Sequence, residues 1–235
     1  MNLYLDQFSE HHDYPRVNEP SKILIIASTG RSGSHMLGHA LKETNYFGFP
    51  LEYVNPENLS QRKNTFKTTN VFDTLKELQH RRTSPNGVFG IKIHYSHIRQ
   101  FGNFSQLNTV LPNAHFVLLS REDALKQAIS LSIATQTGVW ISGQKPTNNN
   151  PQYNYNHIDT CLRNIIKDNS SWRYLLASKN CKSMEMNSDH VRNNLTEEIQ
   201  TIANFTDIDL ETKNIPEKKI TTKQSNNIND DRKTK

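Results

Sequence analysis

Residues 22–35 have the sequence KILIIASTGRSGSH. The first seven are mostly apolar and β-branched, which is typical of a strand buried on both faces of a parallel sheet. Gly30 and Gly33 interrupt this run, and the apolar residues of 34–44 then recur at helical spacing. A strand, a glycine-containing turn and a helix in this order predict the first half of a βαβ unit.

Two further segments have the character of buried strands. They are residues 88–93 (VFGIKI) and 114–119 (AHFVLL), and turn-forming residues precede each of them. Residues 121–133 continue the second segment into a helix, and helices are also predicted around 157–178 and 189–204. Strands that alternate with helices predict an α/β fold with a parallel sheet, whose ligands bind at the carboxyl ends of the strands.

The length and charge of the chain predict its division into segments. With 235 residues, of which 34% are apolar, we expect one domain over 21–212. Residues 1–20 are predicted to be an N-terminal arm of low order. Residues 213–235 form a basic tail, in which seven lysines and arginines against three acidic residues give +4 of the net +5. Such a tail indicates either an anionic ligand near the C-terminus or a solvated segment.

Several classes of protein are disfavoured by the sequence. The longest apolar run, 23–27, is too short to cross a membrane, and no secretory signal is visible at the start. Cys161 and Cys181 are too few for a disulfide framework, which favours a reducing compartment and the cytoplasm. We expect no nucleic-acid binding, because the chain lacks a dense basic face with aromatic residues. We also expect no metal, because no third ligand accompanies His94 and His97.

The glycine-containing turn has the chemistry of an anion site. Its glycines allow a tight turn that exposes backbone N–H groups at a helix N-terminus, where phosphate and sulfate bind. Arg31 adds a positive charge, and Ser32 and Ser34 add hydroxyl donors. No lysine follows Gly33, so this is not the Walker A sequence of Mg²⁺-dependent nucleoside triphosphatases. An ordinary strand–helix turn with capping serines is the alternative.

Five ordered segments resemble one known family. Residues 27–34, Ala-Ser-x-x-Arg-Ser-Gly-Ser, resemble the 5′-phosphosulfate loop of bacterial sulfotransferases of the trehalose 2-sulfotransferase family. The other four similar segments are 48–53 (GFPLEY), 86–92 (NGVFGIK), Arg121 through the QTGVW of 136–140, and 192–197 (RNNLTE). The resemblance implies a P-loop-like sulfotransferase fold, three layers (α/β/α) around a central parallel sheet. It also implies 3′-phosphoadenosine 5′-phosphosulfate (PAPS) as donor, and no metal.

The resemblance also implies roles for individual residues toward the donor. The sulfuryl and 5′-phosphate oxygens would be cradled by Arg31, Ser32, Gly33, Ser34 and His35. Arg121 and Ser130 would hold the 3′-phosphate, and Lys223 in the tail would be a further phosphate ligand. Lys92 would neutralise charge on the leaving phosphate. On the residues alone, the alternative is an exposed Arg121 paired with its acidic neighbours and a Ser130 on a helix surface.

Two residues are candidates for the base that takes the proton of the acceptor hydroxyl. Glu52 matches the position of the base proposed for the trehalose-type family. His94, in the Lys-Ile-His of 92–94, resembles the catalytic histidine of cytosolic sulfotransferases. We favour Glu52, because the surrounding residues 48–52 match the nearer family.

One departure from the family concerns the acceptor. Phe49 stands where the trehalose pattern has a glutamate, so we expect recognition of trehalose to be lost. Together with Tyr53 and Trp140, Phe49 predicts a pocket wall that stacks on a sugar face or a lipid-linked head group. The predicted function is therefore a PAPS-dependent carbohydrate sulfotransferase with a carbohydrate or glycolipid acceptor. Two alternative functions stay open, a P-loop kinase-like phosphotransferase and a catalytically inactive nucleotide- or anion-binding module. A homodimer stays open as the assembly state.

Overall fold

Four parallel strands form the centre of the molecule. The structure, a computed structural model, describes residues 6–141 and 144–216; Lys223 and most of the predicted basic tail lie outside these ranges. The strand order is β2-β1-β3-β4, and the strands are β1 (Lys22–Ser28), β2 (Val88–His94), β3 (His115–Ser120) and β4 (Ser183–Asn187). The chain therefore places β2 and β3 on opposite sides of β1, and a crevice opens where such a sheet reverses its strand order.

Helices cover both faces of this sheet. The described helices are α1 (Ser34–Glu43), α2 (Pro56–Phe66), α3 (Val71–Arg82), α4 (Phe104–Val110), α5 (Ala124–Thr137), α6 (Tyr155–Ser178), α7 (Ser188–Asn193) and α8 (Leu195–Phe205). Short 3-10 helices occupy Glu10–His12, Tyr95–Phe101 and Thr212–Asn214. None of the helices in the described ranges is long and apolar enough to span a membrane.

The two faces of β1 belong to separate apolar cores. Ile23 and Ile25 pack in a core that includes residues of α2, α3, α4 and α6. Leu24 and Ile26 face the other way and pack in a core with residues of α1, α7 and α8. This alternation follows from the two-residue period of a strand. The expected three-layer α/β/α fold is therefore confirmed.

The structure matches the predicted elements where their apolar pattern is strong. β1, β2, β3, α1 and α6 fall at or within two residues of their predicted positions, and α5 begins three residues later and ends four residues later than predicted. The helix predicted around 189–204 is two helices, which meet at Asn194. The sequence gives weak signals for α2, whose only apolar residues are Leu59 and Phe66, and for β4, which has the sequence SMEMN.

Residues 6–20 are packed against the domain, whereas the sequence predicts an arm of low order. The Tyr14 N–H donates to the last turn of α3, at 2.8 Å. The Asp13 carboxylate lies 2.7 Å from the Nε atom of Arg82, a side chain with no solvent exposure. An unpaired buried arginine would be strongly destabilising, so the acidic residues of this segment pair with cations of the domain. The polar residues that predict low order are therefore residues that form ion pairs with the domain.

Candidate active site

A cavity of about 720 Å³ lies at the carboxyl ends of the strands. Thr29 follows β1, His94 ends β2, Arg121 follows β3, and all three line the cavity. Ile165 and Asp168 close it from α6. The volume is in the range of about 300–1,000 Å³ that is usual for small-molecule sites. The cavity thus lies where the parallel sheet predicts a ligand.

The turn between β1 and α1 leaves the start of the helix open toward this cavity. Arg31 and Gly33 have positive φ values of 63° and 91°, so the chain turns sharply before Ser34. Gly33 is the N-cap residue of α1, and in the described structure no side chain caps its first N–H groups. A Cβ atom at Gly33 would lie 3.3 Å from the Cβ atom of Ser188. The uncapped N–H groups and the helix dipole together favour an anion here.

Distant parts of the chain brace the turn. The buried side-chain amide of Gln127, on α5, donates to the Thr29 hydroxyl at 2.8 Å and to the Gly30 carbonyl at 2.7 Å. The indole N–H of Trp172, on α6, donates to the Ser28 carbonyl at 3.3 Å. These bonds fix the turn before any ligand binds, which is the preorganisation that electrostatic catalysis requires.

Two arginines line the cavity near the turn. Arg31 donates through Nε to the Ser130 hydroxyl at 3.0 Å and through Nη1 to the Trp140 carbonyl at 2.7 Å. Burial lowers the pKa of Arg31 to about 10, and the charge of Arg121 contributes to the shift. The Nε atom of Arg121 is buried and lies 4.0 Å from the Asp189 carboxylate. Like charges held together in a cavity favour an anion between them.

The other predicted donor residues have different placements. Ser34, His35 and Lys92 line the cavity, as do Arg31, Gly33, Arg121 and Ser130. Ser32 is fully buried and its residue does not line the cavity, so its hydroxyl is not placed as the predicted donor contact requires. Arg192 of α7 lines the cavity too, although the sequence singles it out only as part of a motif. Its Nε atom is buried and makes no hydrogen bond within the described ranges.

The two candidate bases lie in one cluster. One carboxylate oxygen of Glu52 is 2.9 Å from the Lys92 ammonium. The other is 3.4 Å from Nδ1 of His94 and 3.5 Å from Nε2 of His97. The sequence predicts Glu52 and His94 as competitors, and the structure brings them together with His97, to which the sequence assigns no role.

Burial and charge set the protonation of this cluster. Burial by itself would raise the pKa of Glu52, but the two imidazoles and the Lys92 ammonium together lower it. Burial lowers the pKa of His94, and lowers that of His97 to about 3, so both rings are neutral at pH 7. Lys92 therefore carries the fixed charge that keeps the Glu52 carboxyl ionised.

The same cluster bears on the expectation that no metal binds. The sequence predicts no metal because His94 and His97 lack a third ligand. In the structure Glu52 supplies that third ligand atom, so this reason for excluding a metal is wrong. Two observations now oppose a metal. Lys92 already pairs with Glu52, and Nδ1 of His97 accepts from the backbone N–H of His94 at 3.4 Å. Because Nδ1 accepts this hydrogen bond, the ring proton is on Nε2. Nε2 is the atom that would have to coordinate the metal.

Amide, carboxylate and aromatic side chains line the rest of the cavity. Trp140 is 45% exposed there. Asp168 makes no hydrogen bond or ion pair with any described residue, and burial raises the pKa of its carboxyl. The amide side chains that line this region are Gln7, Asn55, Asn58 and Asn164. Amides, carboxylates and an exposed indole are the groups that bind polyhydroxylated ligands.

The predicted aromatic wall of the acceptor pocket needs correction. Phe49 and Tyr53 are 1% and 2% exposed and do not line the cavity, and only Trp140 of the three does. The Phe49 ring packs edge-on against His12 and His39, with ring centroids 4.9 and 5.2 Å away. Phe49 fills space between α1 and the arm, and the Tyr53 ring stacks on Phe89 of β2. Phe49 and Tyr53 therefore do not form the predicted stacking wall, and the expectation about trehalose stays a prediction that rests on the replaced glutamate alone.

Comparison with known proteins gives one family match and similarities to solved structures. The profile of the family described as Stf0 sulphotransferase matches residues 23–234. The chain is 12% identical to sulfotransferase STF9 from Mycobacterium avium, with a TM-score of 0.52 and coverage of 90% of this chain and 69% of that one. It is 11% identical to a sulfotransferase domain from the curacin biosynthetic pathway, with a TM-score of 0.49 and coverage of 82% and 76%. No curated protein matches the chain.

Proposed function

Because the chain belongs to the Stf0 sulphotransferase family, we propose that it moves a sulfuryl group from PAPS to a hydroxyl of a carbohydrate or glycolipid. The proposal rests on one observation, that two sets of functional groups line the same cavity. An uncapped helix N-terminus with two partly buried arginines forms one set, and the Glu52–Lys92 pair forms the other. The first set suits an anionic donor, and the second suits proton removal and charge neutralisation.

The donor contacts follow from the lining of the cavity. The backbone of 33–35 and the Arg31 guanidinium would hold the sulfuryl and 5′-phosphate oxygens. Arg121 and Ser130 would bind the 3′-phosphate, with Arg192 as a further cation. Arginine presents a planar fork of donors to phosphate, which a single ammonium does not. Lys223, outside the described residues, is proposed to contact the same phosphate.

The transfer step needs one proton acceptor. The acceptor oxygen attacks sulfur, the bond from sulfur to the bridging 5′-phosphate oxygen breaks, and 3′,5′-ADP leaves. We assign the hydroxyl proton to Glu52, because the Nε2 atom of His94 is buried and its Nδ1 atom faces the Glu52 carboxylate. Lys92 would shift toward the leaving phosphate as charge develops there, which frees the carboxylate to take the proton.

The first prediction concerns recognition of the 3′-phosphate. The protein should bind 3′,5′-ADP more tightly than ADP, without Mg²⁺, and Arg121→Ala should remove most of that preference. A hydrogen bond to a charged group contributes about 1.5–3 kcal/mol, so we expect a loss of roughly 10- to 100-fold. Isothermal titration calorimetry with both nucleotides measures it.

Arg163→Ala is the matched control, because Arg163 is an exposed arginine of α6 that pairs with Asp159 on the helix surface. It should leave both affinities unchanged. Equal affinity of the unmodified protein for ADP and 3′,5′-ADP would contradict the sulfotransferase proposal. Tighter binding of ATP in the presence of Mg²⁺ would favour the phosphotransferase alternative.

The second prediction concerns the acceptor side of the cavity. With the best acceptor from a glycan panel, Asp168→Asn should raise the acceptor KM about 10-fold, on the scale of one charged hydrogen bond. The KM for PAPS should not change, because Asp168 couples to none of the donor-side arginines. Asp159→Asn, on the surface of the same helix, is the control. An equal change in the KM for PAPS would show that Asp168 does not act on the acceptor.

A further inference from the structure

A second cluster of ligand-type side chains lies in the arm, outside the cavity. Nε2 of His12 is 2.9 Å from one carboxylate oxygen of Asp6, and Nε2 of His11 is 3.6 Å from the other. The three ligand atoms all lie within 4.8 Å of one another. Two imidazole nitrogens and a carboxylate oxygen are ligands that Zn²⁺ prefers.

The spacing of these atoms fits a small tetrahedral site. At Zn–N and Zn–O distances of about 2.0–2.1 Å, neighbouring ligand atoms of a tetrahedron lie about 3.3–3.4 Å apart. The two carboxylate–imidazole distances of 2.9 and 3.6 Å lie on either side of that value. These distances run to different carboxylate oxygens, and all three ligand atoms lie within 4.8 Å of one another, so rotation of the side chains would bring them around one ion, with water completing the coordination.

A neighbouring hydroxyl prepares His11 for coordination. Nδ1 of His11 lies 2.6 Å from the Ser9 hydroxyl oxygen, which also accepts from the His11 backbone N–H at 3.4 Å. A ring N–H at Nδ1 directed to this oxygen leaves the lone pair of Nε2 facing Asp6. Metal-binding histidines usually have such a partner on the second ring nitrogen, which fixes the tautomer.

The arm cluster differs from the Glu52 cluster in the partners of its carboxylate. There Lys92 lies 2.9 Å from the carboxylate, whereas in the arm the carboxylate of Asp6 pairs only with histidines among the described residues. We propose that Asp6, His11 and His12 form a binding site for a zinc-like divalent cation. This site is independent of the sulfotransferase proposal.

The site would tie the arm to the active cavity. Gln7 follows Asp6 directly and lines the cavity, and its backbone carbonyl accepts from the buried Arg62 guanidinium at 2.8 Å. A metal that joins Asp6 to His11 and His12 would close a loop of a few residues around Gln7. Bound metal should therefore make the arm harder to detach from the domain.

The test uses the full chain without a histidine tag, stripped with EDTA and titrated with Zn²⁺ by calorimetry and with Co²⁺ by visible absorption. We expect one ion per chain and the absorption bands of tetrahedral Co²⁺. His11 is exposed, so His11→Ala should fold normally and weaken binding by more than ~10-fold, and Ser9→Ala should weaken it ~10-fold. Zn²⁺ should raise the thermal midpoint of the unmodified protein and not that of His11→Ala.

His190→Ala is the matched control, because His190 is an exposed histidine 3.4 Å from the carboxylate of Glu198. It should bind Zn²⁺ as the unmodified protein does. The proposal is overturned if His11→Ala retains full affinity, or if the unmodified protein binds no Zn²⁺ at millimolar concentration. It is also overturned if binding is lost in Glu52→Gln and kept in His11→Ala, since the ion would then occupy the cavity.

Discussion

Replacement of Glu52 by glutamine is expected to lower turnover by ~10²–10⁴-fold, the usual contribution of a general base. The amide keeps the size of the side chain but does not take a proton, and it no longer forms an ion pair with Lys92. Affinity for 3′,5′-ADP should stay within about threefold, because the donor-side arginines are untouched. Turnover is measured with labelled PAPS and the best acceptor, and affinity by calorimetry.

Two further variants test whether Glu52 or another group of the cavity takes the proton. His94→Gln should cost much less than Glu52→Gln, because the Nε2 atom of His94 is buried and its Nδ1 atom lies 3.4 Å from the Glu52 carboxylate. Glu57→Gln changes another carboxylate that lines the same cavity and should have little effect on turnover. If His94→Gln has the larger effect, the proton goes to the histidine, as in the cytosolic sulfotransferases. Small and similar losses in all three variants would favour an inactive anion-binding module.

The parts of the fold that sequence predicts well are those with a local signal. The run 22–28 is apolar at every central position, and it is a strand with the bounds expected from that pattern. Among the described strands, the edge strand β4 pairs only with β3, and it has no β-branched residue, so its strand conformation depends on tertiary pairing. The arm was predicted to be of low order because its acidic residues have partners only in the folded protein, where Asp13 meets Arg82.

The residues of the candidate site also differ in whether a local sequence pattern predicts their placement. Arg31 and Gly33 belong to one short motif, and their conformation is set by the turn itself. Gln127 braces that turn from 97 residues away, and no local pattern marks it as more than a polar residue of a helix. Phe49 was expected in the pocket because it lies near Glu52 in sequence. Its side chain instead enters the core, since a loop position carries no period from which its direction could be read.

The largest expected effect on stability comes from buried histidines. Burial lowers the pKa of His35 well below its ordinary value, that of His39 to about 4 and that of His97 to about 3. In the unfolded chain each titrates near 6.5, so below that pH the unfolded state binds more protons than the folded state. Stability should therefore fall as pH decreases from about 6.5 toward 4. Each histidine contributes about 1 kcal/mol between pH 7 and 5.5, or about 3 kcal/mol for the three.

Urea unfolding of the ligand-free protein at pH 7 and 5.5 measures this change. Carboxylates with lowered pKa values, such as Glu77 at about 2, lose their contribution only below pH 4.5 and so lie outside this window. His39→Leu should reduce the pH dependence by about 1 kcal/mol, because one buried histidine no longer titrates in the unfolded chain. His190→Ala removes an exposed histidine and should leave the pH dependence unchanged. An unfolding free energy that is constant from pH 7 to 5.5 would mean that these histidines are solvated and protonate in the folded protein.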